Sequence, residues 1–260
     1  MRQLSGVYFD YLLANSQDLV RDPDPEVAHA TVLSLAGQIA MLPDLHTLGH
    51  HQTEYDKYEG NLVQTSLESL RLALEHSDAT VVDEAAAFLS SRGDLQGMTR
   101  VQRLIDEGKM PAEKGIGFLS LGPAESASPL IEKYAADPDP AVQAAAISQL
   151  SYNSDYTIAV REVALSADTA SQVVIAALPG LAKTDKDFLN YSLALAQNED
   201  LNDTVRTQAL ETTVSFTIQS GSPEGMVRAL EPLLGKTAAE LSSPRALNAV
   251  EQLRSIYQIE

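Results

Sequence analysis

From residue 137 to residue 150 the chain reads Asp137-Pro138-Asp139-Pro140-Ala141-Val142-Gln143-Ala144-Ala145-Ala146-Ile147-Ser148-Gln149-Leu150, and this stretch decides the fold. Its opening phrase recurs almost unchanged as Asp22-Pro23-Asp24-Pro25-Glu26-Val27. After each phrase, apolar or small residues return every four positions, which places them on one face of a helix. The pattern therefore predicts that each phrase begins an amphipathic helix.

The residue types of the phrase explain why a helix begins there. Asp24 and Asp139 are placed to accept hydrogen bonds from the first free backbone N–H groups of a helix. Pro25 and Pro140 then occupy the first helical position, where no N–H donor is needed and the φ angle is already suitable. These four residues are predicted to be structural helix caps, and a calcium site on the Asp pairs is not expected because no loop supplies further oxygens.

The same frame returns along the chain. The anchor residues Val81, Val142, Val173 and Val205 lie about 30 residues apart, or twice that where a degenerate unit around 112–116 intervenes. Second helices are predicted between these starts, at 62–75, 126–136, 158–167 and 188–197. An unpaired helix at 7–20 and helices at 226–234 and 245–259 are expected to close the two ends. The sequence thus predicts one all-α domain over 1–260, built from helix pairs.

At this point the chain resembles the HEAT-repeat family, in particular its short bacterial form. The resemblance rests on the pattern Asp-Pro-x-Val-x-x-x-Ala-x-x-x-Leu, which is clearest from Asp139 to Leu150 and extends over 22–214. The Arg that commonly follows the Val in this family is present only as Arg206. The resemblance implies a right-handed α-solenoid, HEAT-like or armadillo-like, of antiparallel helix pairs. It also implies use in protein binding, while some members bind nucleic acid or modify tetrapyrrole–protein linkages.

An insertion interrupts the first full repeat at about 43–60, because Val27 and Val81 are too far apart for one unit and too close for two. Insertions in repeat proteins map to loops on one face and often carry binding residues. This segment holds three of the chain's five His, and its candidate binding residues are His46, His50, His51, Glu54, Tyr55 and Tyr58.

Three chemical interpretations of the insertion are open. If the segment is helical, His46, His50 and Glu54 lie one turn apart on one face, which suits Zn²⁺ or a similar divalent ion. Tyr55 and Tyr58 are suited to a partner-binding patch, because Tyr combines contact area with a polar tip. The third interpretation is a loop that simply packs on the first hairpin.

The amino-acid composition limits the partners, the chemistry and the compartment that can be expected for the chain. The formal charge of −18 with no basic stripe argues against nucleic acid as a partner, and favours either solubility alone or a partner with some basic character. The absence of Cys removes disulfides, thiolate metal sites and thiol nucleophiles. No apolar run is long enough for a membrane span or a signal peptide. The chain is expected to be cytoplasmic by default, or periplasmic or secreted if a signal peptide has been removed.

These observations predict a non-enzymatic scaffold for protein–protein interaction, with a protein or peptide partner held on a concave surface lined by the second helices. No catalytic residue and no cofactor are expected. The alternatives are a metal-binding protein or metal-dependent enzyme that uses the His-rich insertion, and a lyase-like HEAT protein that acts on a tetrapyrrole by family analogy. A structural spacer within a larger assembly is a third class.

Overall fold

A computed structural model describes residues 2–41, 55–166 and 168–259 of the 260-residue chain. Within these ranges every regular element is an α-helix or a short 3-10 helix, and no strand occurs. The predicted all-α class is confirmed. The contacts group the chain into two compact units, Met1–Leu130 and Ile131–Glu260, with the boundary inside a helix.

The first unit contains seven described helices. They are α1 (Arg2–Leu19), α2 (Pro25–Met41), α3 (Tyr55–Ala73), α4 (Ala79–Ser91), α5 (Leu95–Asp106), α6 (Ala112–Leu119) and α7 (Ala124–Glu132). Helix α2 packs on α3 and α4, and α4 packs in turn on α5 and α6. Helix α1 covers α2 and α3, and the buried hydroxyls of Ser16 and Ser69 share a hydrogen bond of 2.8 Å between α1 and α3.

The second unit continues the alternation with seven further α-helices after the 3-10 helix Lys133–Ala136. They are α8 (Pro140–Leu150), α9 (Thr157–Leu165), α10 (Ser171–Thr184), α11 (Phe188–Gln197), α12 (Asp203–Gln219), α13 (Glu224–Leu241) and α14 (Pro244–Tyr257). Helix α8 packs on α10, α10 on α12, and α12 on α14. We call these four the first helices of the unit. Helices α9, α11 and α13 lie between them in sequence, and each packs on a first helix.

The core of both units follows the predicted four-residue frame. The fully or almost fully buried frame residues are Thr31, Leu35, Val81, Ala85, Leu89, Ala146, Leu150, Val173, Ala177, Leu181, Val205, Ala209, Thr213 and Val214. Small residues at the centre of each turn let neighbouring helices approach closely, while the larger residues on either side fill the space between them. The periodicity therefore marks the buried face of each helix, although Val27 and Val142, the first frame positions of α2 and α8, are only partly buried.

The repeated phrase forms the caps that its residue types predict. The Glu26 N–H donates to Asp24 Oδ1 and the Ala141 N–H donates to Asp139 Oδ1, each at 2.9 Å, and Pro25 and Pro140 are the first residues of α2 and α8. Asp22 and Asp137 add a turn before the cap, because each accepts from the N–H two residues on at 2.9 Å. Each phrase is thus a double Asp turn followed by a helix start.

One predicted helix start differs in detail. The sequence frame places a start after Asp168, but α10 begins at Ser171, and its N-cap residue Ala170 has no side chain that can accept a hydrogen bond. The Val173 N–H donates instead to the Ala170 carbonyl at 2.9 Å. The register of the buried face is unchanged, because Val173, Ala177 and Leu181 still lie on one side of the helix.

His76 joins two interhelical turns in the first unit. Its Nδ1 accepts from the Asp78 N–H at 2.9 Å, and its Nε2 lies 3.0 Å from the Asp22 carbonyl. An Nδ1 that accepts leaves the proton on Nε2, which then donates to Asp22. The imidazole therefore connects the turn before α2 to the turn before α4.

The insertion is shorter than the sequence pattern indicates. The sequence places the second helix of the first repeat from about Gly60, whereas α3 begins at Tyr55, so the last residues assigned to the insertion are helical. Among the described residues no helix is both long enough and apolar enough to cross a membrane.

Candidate functional site

The residues that the sequence analysis singles out in the insertion can be placed only in part. His46, His50, His51 and Glu54 lie outside the described residues. Tyr55 and Tyr58 belong to the first turn and a half of α3, and their side chains are outside the description. In the ranges that are described, no group of three or more His, Asp or Glu side chains is arranged to hold a metal ion. The zinc interpretation of His46, His50 and Glu54 stays a prediction.

A groove of about 720 Å³ lies on the second unit, across the exposed faces of its first helices. Helices α10, α12 and α14 form its length, and Tyr152, just after α8, contributes at one side. The sequence analysis expected a binding surface on the second helices. This groove is formed by first helices, because their outward faces meet where α12 packs between α10 and α14.

Helices α12 and α14 run in the same direction along the groove. Arg245, near the start of α14, pairs with Glu211 in the middle of α12, and Tyr257, at the end of α14, donates to the carbonyl of Thr217 at 3.2 Å. Because both contacts advance from the start towards the end of each helix, α12 and α14 run in the same general direction. The side chains that they present to the groove therefore form two rows that follow one direction.

The rows consist mainly of uncharged polar side chains. On α12, positions 208, 212, 215 and 219 lie on one face, because successive members are three or four residues apart. On α14, positions 248 and 252 repeat the spacing. The residues at these positions are Gln208, Thr212, Ser215, Gln219, Asn248 and Gln252. Amides and hydroxyls both donate and accept hydrogen bonds, so the groove can pair with donors and acceptors alike.

Part of this row is held in place by hydrogen bonds along α12. Gln208 Nε2 donates to Thr212 Oγ1 at 3.3 Å, and Gln219 Nε2 donates to Ser215 Oγ at 3.0 Å. Thr212 in turn donates to the Gln208 carbonyl at 2.8 Å. The amide oxygens of Gln208 and Gln219 take no part in these bonds, so both remain acceptors on the groove face.

One side of the groove depends on a close approach between α8 and α10. A Cβ atom at Gly180 would lie 2.5 Å from the Ser151 carbonyl carbon and would also overlap the Ser151 hydroxyl. Thr184 Oγ1 donates to the Ser151 carbonyl at 3.1 Å, which ties the same pair of helices. Ser151, directly after α8, lies against Gly180, and the residue after Ser151 is Tyr152, which lines the groove.

Tyr152 and Lys183 form an exposed pair at this side. The Lys183 ammonium lies 4.8 Å from the centroid of the Tyr152 ring, a distance at which the negative face of the ring attracts a cation. Tyr152 is 49% exposed. Among the described residues no carboxylate lies within 4.0 Å of the Lys183 amine. The amine therefore keeps its donors available on the groove surface.

Glu211 and Arg245 form the charged pair at the opposite side. Arg245 Nε donates to one carboxylate oxygen of Glu211 at 2.9 Å, and its Nη2 donates to the other at 2.6 Å. The Glu211 side chain is 18% exposed and the Arg245 side chain 68% exposed. This two-point geometry occupies both oxygens of the single carboxylate that lines the groove.

The floor of the groove is apolar and is fixed by the core. Val214 is 2% exposed, and the Phe216 ring packs on the buried Phe188 ring with centroids 5.4 Å apart. Pro179 on α10 has no backbone N–H, so the carbonyl of Ile175 has no donor four residues later in the helix. The groove therefore combines an apolar floor with polar walls.

The sequence analysis did not identify these residues, although a signal is present. The frame that fixes the core, Val205, Ala209 and Thr213, also fixes which positions of α12 face outward. Most of those positions carry neutral polar residues in a chain that is 21% charged, and Glu211 is the charged residue of α12 that lines the groove. A search for outward rows rich in neutral polar residues would have found the α12 row, but not its meeting with α10 and α14.

Comparisons with known proteins add little to this description. No protein-family model matches the chain, and no curated protein matches it. Among solved structures, the crystal structure of an engineered protein is similar over 93% of this chain and 97% of that chain, with 18% sequence identity and a TM-score of 0.33. A score at that level supports no inference about fold or function. The class that the described residues define is an all-α protein of alternating helices with a polar groove.

Proposed function

We propose that this chain is a non-enzymatic binding scaffold, a HEAT-like α-solenoid that holds an extended polypeptide segment in the groove on α10, α12 and α14. The observation that carries the proposal is the double row of amide and hydroxyl side chains along parallel helices. A polypeptide backbone presents one donor and one acceptor per residue, and such side chains can satisfy both.

The spacing of the row suits an extended chain. From Gln208 to Gln219 the helix advances about 16 Å at 1.5 Å per residue, which equals the length of roughly five extended residues at about 3.3 Å each. Polar side chains return about every 5 Å along the row, and backbone groups on one side of an extended chain return about every 6.6 Å. The two repeats are close enough for several hydrogen bonds to form together.

The solenoid part of the proposal is supported within each unit by the order of packing. In the first unit α2 packs on α4 and α4 on α6, and in the second unit the first helices pack in the same kind of series, from α8 through α10 and α12 to α14. The caps that begin α2 and α8 share one sequence and one geometry. Arg206, at the position where HEAT repeats commonly carry Arg, donates from Nε to the Ala196 carbonyl at 3.2 Å and so joins α12 to the end of α11.

The non-enzymatic part is supported by the chemistry of the groove lining. No imidazole lines it, and its hydroxyls at Thr212 and Ser215 are bonded to amide groups of their own helix and not to a general base. An activated nucleophile needs an adjacent base that is itself oriented. The groove is therefore suited to holding a segment and not to cleaving one.

The proposal is tested by selection from a phage-displayed library of random linear peptides of about seven residues, with the full-length protein immobilised. Enriched peptides are then synthesised with a fluorescent label, and their affinity is measured by fluorescence polarisation. We expect peptides that bind the wild-type protein and lose at least tenfold in affinity for the variant Ser215→Trp, in which an indole fills the middle of the groove.

Ser91→Trp is the matched control, because Ser91 is an exposed serine at the end of α4 that does not line the groove. It should bind the same peptides as the wild type does. Circular dichroism at 222 nm reports whether each variant is folded. Failure to enrich any peptide, or equal binding to the wild type and to folded Ser215→Trp, would overturn the proposal.

A further inference from the structure

We infer that the groove selects an acidic polypeptide segment, with a carboxylate of the segment bound by Lys183 beside Tyr152. This inference rests on the proposed function and names the chemistry of its partner. It differs from the expectation drawn from net charge, which favours a basic partner for the chain as a whole.

The first support is the balance of charge inside the groove. The chain carries a formal charge of −18, yet the lining contains two bases, Lys183 and Arg245, and one acid, Glu211. Because acids outnumber bases two to one over the chain, a lining with more bases than acids is a local reversal. A basic segment would meet like charge at Lys183.

The second support is that the acid in the lining is already paired. Both oxygens of Glu211 accept from Arg245, so a Lys or Arg of a bound segment would have to displace a two-point charge-assisted contact. The Glu211–Arg245 pair is neutral in sum. The net charge that a ligand meets is therefore that of Lys183.

The third support is that the acids close to Lys183 in sequence are bonded elsewhere. Arg161 Nη1 donates to both oxygens of Asp185, at 3.2 Å and 3.1 Å, and lies 3.4 Å from Asp187 Oδ2. Asp185 is also buried, with 4% of its side chain exposed. These carboxylates thus pair with Arg161, whereas the Lys183 amine contacts an aromatic ring.

The contact with Tyr152 leaves room for a carboxylate. An ammonium above a ring uses one side for the ring, and its remaining donors point to solvent. Lys183 and the amides of α12 line the same groove, so a segment that places its backbone along the α12 row can direct a side-chain carboxylate to the amine. The preference for an acidic segment then comes from one charge-assisted hydrogen bond between Lys183 and the carboxylate, which adds to hydrogen bonds with the segment backbone that do not depend on charge.

The inference is tested on two probes. The first is the tightest peptide from the library selection, compared with versions in which each Glu or Asp is replaced by Gln or Asn. We expect an acidic residue in the enriched peptides and an affinity loss of about tenfold when it is neutralised, as for a hydrogen bond to a charged group. In Lys183→Met the acidic and the neutralised peptide should bind with equal affinity. The neutralised peptide should bind the wild type and Lys183→Met equally well.

Lys186→Met is the matched control, because Lys186 is an exposed lysine three residues away that does not line the groove. It should keep the preference for the acidic peptide. If acidic and neutralised peptides bind equally well, or if Lys183→Met keeps the preference, the inference is wrong and the peptide-binding proposal still stands.

The second probe separates a peptide carboxylate from a free one and does not depend on the library. N-acetylglutamate methylamide, N-acetylglutamine methylamide and acetate are each titrated while the side-chain NMR signals of Lys183 are followed. We expect shifts with the glutamate derivative at lower concentration than with acetate, and none with the glutamine derivative. Equal shifts with acetate would mean that Lys183 makes a simple anion contact, and would overturn the inference of a polypeptide carboxylate. The absence of a shift with the glutamate derivative would also overturn the inference, even if peptides bind the groove.

Discussion

At the scale of the residue, Gly180 sets the distance between α8 and α10 and so determines where Tyr152 lies. The Gly180→Ala change would place a Cβ 2.5 Å from the Ser151 carbonyl carbon, which cannot move without moving the end of α8. We expect a loss of about 1–3 kcal/mol in the free energy of unfolding, as for other overpacked cores, measured by urea denaturation. The same change should weaken the binding of acidic peptides to the groove, because the Tyr152 ring would no longer lie against the Lys183 amine.

The control for this change is Gly225→Ala on α13, where a Cβ would meet no atom within 4 Å. Alanine is favoured over glycine in helices, so this variant should be as stable as the wild type or slightly more stable. If both variants unfold at the same urea concentration, the close approach at Gly180 does not limit the packing of α8.

Asp78 caps α4 and titrates at an altered pKa. Its Oδ1 accepts from the N–H groups of Val81 and Thr80, and these backbone bonds hold the pKa of the carboxyl below its usual range. The pKa is lower in the folded than in the unfolded chain. The contribution to stability is therefore complete above the unfolded pKa of about 3.9 and is lost as the pH falls through the folded pKa.

The variant Asp78→Asn keeps an oxygen acceptor at the cap but cannot titrate. We expect the melting temperature of the wild type to fall more steeply than that of Asp78→Asn between about pH 5 and about pH 2. Circular dichroism at 222 nm gives the melting temperature of both proteins at each pH. Parallel curves would show that the cap does not depend on the charge of Asp78.

At the scale of the element, the buried pair of Arg71 and Asp94 joins α3 to the start of α5. Arg71 Nε donates to Asp94 Oδ1 at 2.9 Å, Arg71 Nη2 also pairs with Asp94 Oδ2, and the two side chains are only 9% and 8% exposed. Asp94 is at the same time the N-cap of α5, because it accepts from the Gly97 N–H at 2.6 Å. The pair fixes the position of one helix relative to the next.

Arg71→Met should therefore cost about 3–5 kcal/mol in unfolding free energy, because it leaves the Asp94 carboxylate buried without its partner. The double variant Arg71→Met/Asp94→Ser should be more stable than Arg71→Met alone, since serine keeps a cap and brings no buried charge. Chemical denaturation of the two variants measures the difference. A double variant less stable than the single one would mean that cap loss outweighs the stranded charge.

Some helices are predicted by the sequence pattern and others are not. The pattern predicts the helix starts at Pro25 and Pro140, because Asp-Pro acts on the local backbone alone. It does not identify α5, although Asp94, the apolar series from Met98 to Ile105 and the positive-φ Gly108 mark that helix once it is known. The repeat pattern is Val-x-x-x-Ala-x-x-x-Leu, and the residues that follow Val101 in α5 do not match it.

At the scale of the whole molecule, the excess of acidic residues should make stability depend on ionic strength. With 36 acidic and 18 basic residues, the folded chain concentrates like charge that the unfolded chain spreads out. We expect the melting temperature to rise as NaCl is raised from about 10 mM to about 0.5 M, because the screening length falls from about 30 Å to a few ångströms.

The control is KCl at the same concentrations, which should produce the same rise if screening is the cause. A melting temperature that falls with salt would show that attractive ion pairs, such as Arg245 with Glu211, outweigh the general repulsion. Either direction leaves the local charge of the groove unchanged, because that charge depends on three lining residues and not on the total.

The spacing of apolar residues along the sequence indicates much of the buried face of the repeat helices, and the Asp-Pro phrases indicate where several helices begin. Four-residue spacing and Asp-Pro caps act within one or two helical turns, so no distant contact is needed to produce them. Only the tertiary structure decides the groove. Tyr152, Lys183 and Glu211 are unremarkable surface residues in the sequence, and they share one site because α8, α10 and α12 pack side by side. Contacts between helices separated by about 30 residues depend on packing geometry, which spacing along the chain does not encode.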